Sequence, residues 1–289
     1  MTNNGMEIDL GLDLIDTSEF GLSTAINWST NENEVTDLFG TESINLSPGA
    51  SVSSRAVVGY PLGSLYGTGS QTNPDGSFIL NSNGFPQITS SPIVLGDPNP
   101  DWRGGISLSM RYKKFRLNAV LEHSEGGDFS PRTLWVLRRF GTTQETANRI
   151  TLDQPLVNYR GNTIPAGTTV RGNIKDFGGG PVLLDENWYR TGIGGGFGDN
   201  QAYNFSIADA TFTKLRDLSL SYVIDTPLVT NIGLSDVIVS LTGRDLININ
   251  KVEGIDPEIN TKGVSVAQGV EYFTNPQTKG FLVSLTINY

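Results

Sequence analysis

Several residue types and patterns are missing from this 289-residue chain, and each absence removes a class of protein. The chain has no cysteine, so neither a disulfide framework nor a thiolate metal site can form. No run of about 18 apolar residues occurs, which argues against a transmembrane helix. The net charge is -10 and lysines and arginines never cluster beyond a pair, so we expect no nucleic-acid partner, because phosphates attract basic surfaces.

Patterns typical of enzymes are missing as well. His123 is the only histidine, and no serine or threonine is paired with a base in the sequence. No glycine-rich nucleotide-binding pattern follows a predicted strand. We therefore predict that the chain is not an enzyme and has neither a catalytic residue nor a cofactor.

Acidic residues are plentiful, and two groups of them are considered as possible metal ligands. Glu253, Asp256 and Glu258 could offer oxygen ligands to Ca²⁺, but their spacing matches no recognised calcium loop. A proline-fixed turn with solvated acids is the favoured interpretation. Asp97 and Asp101 stand beside prolines and are interpreted as turn formers, so no metal site is predicted.

What the chain does contain is an alternation of apolar and polar residues with period two, which is the pattern of a β-strand. In the last segment every second residue is apolar, and most of the residues between are polar. This apolar set is Phe281, Val283, Leu285, Ile287 and Tyr289. Similar alternation predicts seven strands, near residues 6–14, 20–28, 102–112, 115–122, 217–222, 237–242 and 281–289.

The connections between these strands alternate strictly between short and long. The short ones are 16–19, 113–114 and 225–234, and the long ones are 31–101, 126–210 and 247–278. Bacterial outer-membrane barrels have this arrangement, with the short turns facing the periplasm. Aromatic residues fit two interfacial girdles: Phe20, Tyr112, Phe115, Tyr222 and Tyr289 at periplasmic strand ends, and Trp28 and Trp102 at outer ends.

The predicted fold class is therefore all-β, a partial transmembrane antiparallel β-barrel of about seven C-terminal strands with long extracellular loops. The alternative is a soluble or surface β-sandwich that binds carbohydrate, whose strands also alternate. Charged residues recur on the minor face of the strands near 6–14 and 102–112, over lengths that suit a bilayer. Sandwich strands are usually shorter, so the barrel is favoured.

The long loops also carry local signals. Asn73-Pro-Asp-Gly76 followed by an apolar stretch predicts a small hairpin. Residues Arg132 to Phe140 predict a short helix, with Ser130 as its N-cap and Gly141 as its stop.

Seven short phrases, in order along nearly the whole chain, resemble the C-terminal part of SusC/RagA-type TonB-linked outer-membrane proteins. Each phrase alone is weakly specific, and the ordered set with an aromatic C-terminus is more so. The phrases are Thr2-Asn-Asn-Gly-Met-Glu7, Phe20 to Trp28 with Asn31 to Val35, Gly59-Tyr-Pro-Leu-Gly63 with Tyr66-Gly67, Leu95 to Trp102, Ala210 to Tyr222, Leu241-Thr-Gly-Arg-Asp-Leu246 and Gly254-Ile-Asp-Pro-Glu258.

The resemblance implies a barrel of about 22 strands with a plugged lumen. It also implies an oligosaccharide or peptide nutrient, a SusD-like lipoprotein as lid, and a place in the outer membrane of a Gram-negative bacterium of the Bacteroidota. Residues 1–289 contain no recognisable plug domain, TonB contact segment or signal peptide. We therefore expect a fragment, a truncated frame or one piece of a split protein. Its expected partners are outer-membrane lipid, the remaining barrel strands and the plug. TonB would be reached only through the missing N-terminal part.

Aromatic residues in the long loops could stack on sugar rings, grip a peptide, touch the lid protein or simply pack the loops. Glycine-rich flanks make Trp188 and Tyr189 the first candidates for ligand or partner contact. The full candidate set is Trp188, Tyr189, Trp135, Tyr66 and Tyr272. The strand from Phe281 to Tyr289 is predicted to be recognised during barrel assembly, because it couples an apolar face to a terminal aromatic residue.

Overall fold

A computed structural model describes residues 1–47, 51–192, 201–252, 254–261, 263 and 268–289. Seven long strands dominate it, and they are numbered here in chain order. They are β1 (Thr2–Asp16), β2 (Phe20–Glu34), β3 (Trp102–Tyr112), β4 (Phe115–Glu125), β5 (Phe212–Ile224), β6 (Asp236–Asn250) and β7 (Gly280–Asn288).

These seven strands form one antiparallel sheet in which chain neighbours are also spatial neighbours. All seven predicted strands are confirmed, and so is the alternation of short turns with long loops. We call residues 35–101, 126–211 and 251–279 loop 1, loop 2 and loop 3. All three leave the same end of the sheet, which we call the outer end.

The strand register brings the alternating apolar residues onto one face of the sheet. Across a single row, Ile26 of β2 pairs with Ile106 of β3, which pairs with Leu121 of β4. Further along, Leu220 of β5 pairs with Leu241 of β6. The large side chains of this face are exposed, among them Ile106 and Leu241. We call it the apolar face, and the opposite face, rich in serine, asparagine and charged residues, the inner face.

Aromatic residues mark the short-turn end of the apolar face. Phe20, Tyr112, Phe115 and Tyr222 are consecutive partners across four strands, and the Phe115 and Tyr222 rings lie 4.7 Å apart. Trp102 lies ten residues from Tyr112 on β3, or about 34 Å along the strand. A strand tilt of about 40° reduces this to about 26 Å, close to the apolar band of about 25 Å in outer-membrane barrels.

The sheet is open, because among the described residues β1 pairs only with β2 and β7 only with β6. No second sheet within the described ranges covers the apolar face of the seven strands. A sandwich buries one face of each sheet against the other. The sandwich alternative is therefore wrong, and the structure is a segment of barrel wall.

Helices are short. The described part of the chain contains no helix long and apolar enough to cross a membrane. The helical segments are α1 (Arg132–Phe140), α2 (Gln144–Ala147) and α3 (Pro227–Thr230), with a π-helical turn at Trp188–Gly192 and a 3₁₀ turn at Tyr203–Ser206.

Helix α1 spans the predicted residues, but its N-cap residue differs from the predicted one. Gly141 ends it with φ +69° in the left-handed region, as expected. The N-cap position is Pro131 and no side chain caps the helix, so the prediction that Ser130 is the N-cap is wrong. The reason is that residues Asp128–Pro131 form a strand, in which the Ser130 N–H donates to the Gly269 carbonyl over 2.7 Å.

The loops fold into small sheets above the outer end. Loop 1 contains a four-stranded sheet (Ser43–Ser47, Ser53–Val57, Ser64–Gly67, Ile93–Gly96). Loop 2 contains three strand pairs: Arg149–Thr151 with Thr169–Arg171, Leu156–Val157 with Thr163–Ile164, and Asn173–Asp176 with Pro181–Leu184. The hairpin predicted at Asn73–Gly76 is confirmed, with the Gly76 N–H donating to the Asn73 carbonyl over 2.9 Å.

Candidate functional site

The three loops pack on one another over the outer end of the wall. A three-stranded sheet joins loops 2 and 3, with Asp128–Pro131 between Ala208–Asp209 and Val270–Glu271. Glu271 is buried and accepts a 2.6 Å hydrogen bond from the Thr133 hydroxyl on α1. Gln268 of loop 3 donates to Asn99 of loop 1 over 3.1 Å. Loop 3 therefore links the other two loops.

A buried ion cluster fastens loop 3 to the inner face. The Lys214 ammonium on β5 donates to both carboxylate oxygens of Asp256, at 2.8 and 2.7 Å, and to Glu258 at 2.7 Å. Gln277 accepts a further bond at 3.2 Å. The Lys214 side chain is 1% exposed and that of Asp256 is 6% exposed. Because both charges are buried, removing Lys214 would leave the Asp256 carboxylate without a cation, at high cost.

A β-bulge adds Arg216 to this cluster. Against β4 the register shifts between Leu215 and Asp217, so that β5 accommodates one extra residue, Arg216. Against β6 the register shifts at the same place, with Asp245 and Leu246 between the partners of Leu215 and Asp217. As a result both Arg216 and Asp217 reach the inner face. The Arg216 guanidinium donates to Glu122 over 2.6 Å and also bonds Glu258. The cluster thus joins β4, β5 and loop 3.

The environment of Glu258 determines how its carboxylate titrates. Burial alone would raise the pKa of Glu258, but hydrogen bonds from Arg216 and Lys214 and their positive charges lower it to about 2. Glu258 therefore stays ionised and paired over the whole physiological range.

These contacts correct one interpretation of the acidic residues. Asp256 and Glu258 are not solvated acids of a turn, because the cations of β5 bind them. Glu253 lies outside the described residues. Within the described ranges, no group of three or more histidine, aspartate or glutamate side chains is placed to hold a metal ion.

Asp97 is a turn former, as predicted, since its carboxylate accepts hydrogen bonds from the Asn99 backbone N–H and side-chain amide at 2.9 and 2.6 Å. Its backbone N–H donates to Asp128 over 3.0 Å. Burial raises the pKa of both Asp97 and Asp128. The charge of Asp101 raises the pKa of Asp97 further, and the charges of Asp97, Asp209 and Asp101 raise that of Asp128. These carboxylates therefore repel one another in this part of the loops.

The first candidates for ligand contact lie in a core of the loops. Trp188 is 4% exposed and Tyr189 is 3% exposed. Both pack with Phe85, Phe177, Val182 and Leu184 in one buried cluster. The Tyr189 hydroxyl donates to Glu145 and accepts from Asn173, and burial raises its pKa. Their burial agrees with the loop-packing alternative, and contact of this pair with a ligand or partner stays a prediction.

The other candidates are separated from that pair. Trp135 is 1% exposed and stacks on Tyr203 in a second buried cluster. Tyr66 and Tyr272 are half-buried, and each lies under a guanidinium, Arg55 over Tyr66 and Arg132 over Tyr272, at 4.6 Å in both cases. The five candidate aromatic residues therefore do not form one site.

His123 lies on the apolar face near the outer end, as its position in β4 predicts. Its ring bonds the Thr213 hydroxyl at 2.7 Å and Glu125 at 3.0 Å, and it packs 4.7 Å from the Trp102 ring. Both ring nitrogens thus have partners in the wall.

Sequence reasoning missed Lys214, Arg216 and the whole ion cluster. One signal was available, since Lys214-Leu-Arg-Asp217 places three charged residues within four positions of an otherwise alternating strand. Such an interruption indicates a bulge. The partners in loop 3 lie about 40 residues away in sequence, and only the fold brings them together.

Comparisons with known proteins agree with this geometry. No protein-family model matches the chain. It is 23% identical to TonB-dependent receptor P3 of Formosa agariphila over an alignment 322 residues long, which covers 100% of this chain and 29% of that protein. TonB-dependent receptor P26 of the same organism is 23% identical over an alignment 318 residues long, with the same coverage. The chain thus spans 29% of the length of these relatives.

Solved structures give the same result for the fold. The structure of the RagAB peptide transporter matches with a TM-score of 0.63 at 18% identity, covering 99% of this chain and 29% of that one. The RagAB peptide importer in its 'open-open' state matches with a TM-score of 0.60, also at 18% identity, covering 99% and 28%. These matches confirm the resemblance to SusC/RagA-type TonB-dependent receptors, and the chain has the fold of a segment of their barrel.

Proposed function

We propose that this chain is the C-terminal part of the barrel wall of an outer-membrane TonB-dependent receptor that imports a bulky nutrient, in a Gram-negative bacterium of the Bacteroidota. The observation that carries the proposal is the seven-stranded sheet itself. One face is apolar and exposed, the other is polar, and every elaborate loop leaves the same end. A bilayer on one side and a water-filled lumen on the other would account for all three features.

The nutrient in this proposal is a peptide or an oligosaccharide, and a SusD-like lipoprotein covers the loops. Support comes from the RagAB matches, which are described as a peptide transporter and importer. TonB would act through parts of the receptor outside these 289 residues, as would the plug and the other strands. The chain's own role is to form wall and loops, with no catalysis.

Within the loops, the burial of the candidate aromatic residues divides their proposed roles. Tyr66 and Tyr272 are half-buried and could touch a ligand or the lid. Trp188, Tyr189 and Trp135 are buried, so they would act by holding the loops in shape.

The strand Phe281–Tyr289 is further proposed as the recognition strand for barrel assembly. It lies at an edge of the sheet, and Phe281, Val283, Leu285 and Ile287 are all exposed on the apolar face, with Tyr289 99% exposed at its end. An unpaired edge with an interfacial aromatic anchor suits a strand that must be paired during insertion. In the full-length receptor, Tyr289→Asp should lower outer-membrane abundance and Tyr289→Phe should not. Equal abundance of the two variants would remove this role.

The accessibility of loop and turn residues from outside intact cells tests the proposed function. Single cysteines are placed at Asp75, the exposed tip of a loop 1 hairpin, and at Asp16, beside a short turn, in a full-length receptor without other cysteines. An impermeant thiol reagent should label the first and not the second. Equal labelling of both, or of neither, would contradict a receptor wall with loops outside the cell.

A further inference from the structure

One guanidinium on the inner face is left without a partner at the place where the loops meet the wall. Lys214, Arg216 and Arg244 each form an ion pair with a carboxylate. Arg103 of β3 forms neither an ion pair nor a hydrogen bond within the described ranges, and it is exposed. Its register partners on the two neighbouring strands are Ser29 and Ser124, which carry no charge.

Arg103 borders a cleft that has neutral polar walls. A cavity of about 210 Å³ is lined by Ser29, Asn31, Asn99, Arg103 and Gln268, together with Thr30, Pro100 and Trp102. No carboxylate of the described residues lines it. A second cavity of about 100 Å³ also borders Arg103 and is lined by three acids. Glu122 and Glu258 are paired with Arg216 and Lys214, and Asp128 accepts a hydrogen bond from the Asp97 backbone N–H.

The chemistry of this cleft fits the carboxylate of a peptide. A guanidinium offers two parallel N–H donors that match the two oxygens of a carboxylate. The Asn31 and Gln268 carboxamides supply both donors and acceptors, which suit the N–H and C=O groups of a peptide backbone. The cleft lies where the outer ends of β2 and β3 meet loops 1 and 3.

We propose that Arg103, with Asn31 and Gln268 beside it, is a carboxylate-binding subsite for peptides. This inference rests on the proposed function as a nutrient receptor and adds the ligand chemistry of one position in it. The carboxylate is either the C-terminal one or that of an Asp or Glu side chain, and the experiment separates the two sources.

The test uses the purified full-length receptor in detergent and short synthetic peptides of randomised sequence. The first pool lacks Asp and Glu and has free C-terminal carboxylates, the second is the same pool with amidated C-termini, and the third is amidated but contains Asp and Glu. Affinity for each pool is measured for the wild type, Arg103→Gln, Arg103→Lys and the control Arg116→Gln. Arg116 lies on the same face of the neighbouring strand, at the short-turn end, and has no ion pair or hydrogen bond to another described residue.

We expect Arg103→Gln to weaken binding of a carboxylate-bearing pool about tenfold, and to leave the second pool unchanged. Loss with the first pool assigns the C-terminal carboxylate, and loss with the third assigns a side chain. Arg103→Lys should be intermediate, because it keeps the charge without the two-pronged geometry. Arg116→Gln should bind all pools as the wild type does.

Four results would overturn the subsite. The first is equal loss for all pools, with lower thermal stability of the free receptor, because Arg103 would then bond another part of the protein. The second is unchanged affinity in Arg103→Gln. The third is a selective loss for acidic oligosaccharides such as oligogalacturonate, with no loss for peptides. If the wild type binds none of the peptide pools but binds neutral oligosaccharides, the subsite falls while the receptor function stands.

Discussion

Replacing Ile106 with arginine should destabilise the assembled receptor far more than the same change at the next residue, Ser107. Ile106 lies on the apolar face of β3, is 46% exposed, and pairs with Ile26 and Leu121. With a strand rise of about 3.4 Å and a tilt of about 40°, it lies about 10 Å below Trp102 and about 16 Å above Tyr112. That depth is within about 3 Å of the middle of the band between the two aromatic residues.

An arginine on the lipid face at the middle of the bilayer costs about 2–4 kcal/mol. Ser107 lies on the inner face, where its side chain makes no hydrogen bond to another described residue, so an arginine there should cost less than about 1 kcal/mol. The difference corresponds to at least about a fivefold change in the folding equilibrium, and to several hundredfold at the upper end. Both variants introduce the same side chain into the same strand, and the difference in β-propensity between the isoleucine and the serine that are lost is at most about 1 kcal/mol, below the cost expected at Ile106.

The assay is a urea refolding titration of the full-length receptor in lipid vesicles. Ile106→Arg should shift the midpoint to lower urea with little change in slope, and Ser107→Arg should remain near the wild type. Equal destabilisation by the two variants, or a larger effect at Ser107, would refute the assignment of the two faces.

Three further predictions concern the loops. Lys214→Met should free loop 3 from the wall, because it leaves the buried Asp256 carboxylate without a cation at a cost of about 3–5 kcal/mol, and adding Asp256→Asn should restore part of the lost stability. Limited proteolysis of loop 3 measures the effect. Equal protection from proteolysis in the wild type and in Lys214→Met would contradict it. The folded-state pKa of Glu258 is depressed to about 2, so its contribution to stability is present above about pH 4.5 and is lost as the pH falls towards 2. The protection of loop 3 amides against hydrogen exchange, corrected for the pH dependence of the intrinsic exchange rate, should fall over that window in the wild type and show no such fall in Glu258→Gln. Burial raises the pKa of Asp128, so its ionised form opposes folding at neutral pH. Asp128→Asn keeps an acceptor for the Asp97 N–H and should raise the Tm at pH 7. A lower Tm would show that the negative charge is needed.

The strands of the wall could be predicted from the sequence because each carries its own pattern. The residues of β7 alternate between apolar and mostly polar side chains. The two faces of the segment from Phe281 to Tyr289 can therefore be assigned from its own sequence, without any information on its partner strand. Short turns such as Lys113-Lys114 are local as well, and together with the long loops they fix which end of the sheet is which.

The loops were less predictable because their structure depends on distant contacts. Glycine-rich flanks made Trp188 and Tyr189 the first candidates for ligand or partner contact, and the sequence alone does not show that Phe85 of loop 1 and Phe177 pack against them. Ser130 is a good N-cap residue, yet its strand pairing with Val270 forces the helix to begin after Pro131. Lys214 meets Asp256 across 42 residues of sequence, and no local pattern reports such a pair.

The central claim, that β3 is part of a membrane-spanning wall, is tested most directly by a spin-label scan. Single nitroxide side chains are placed at each position from Gly104 to Met110 of the full-length receptor in lipid vesicles, and their collisions with oxygen, which concentrates in lipid, and with a water-soluble nickel complex are measured. Labels at 104, 106, 108 and 110 should favour oxygen, and labels at 105, 107 and 109 should favour nickel, because successive side chains of a strand point to opposite faces. Uniform access of the nickel complex along the whole strand, or an alternation in the opposite phase, would contradict the account.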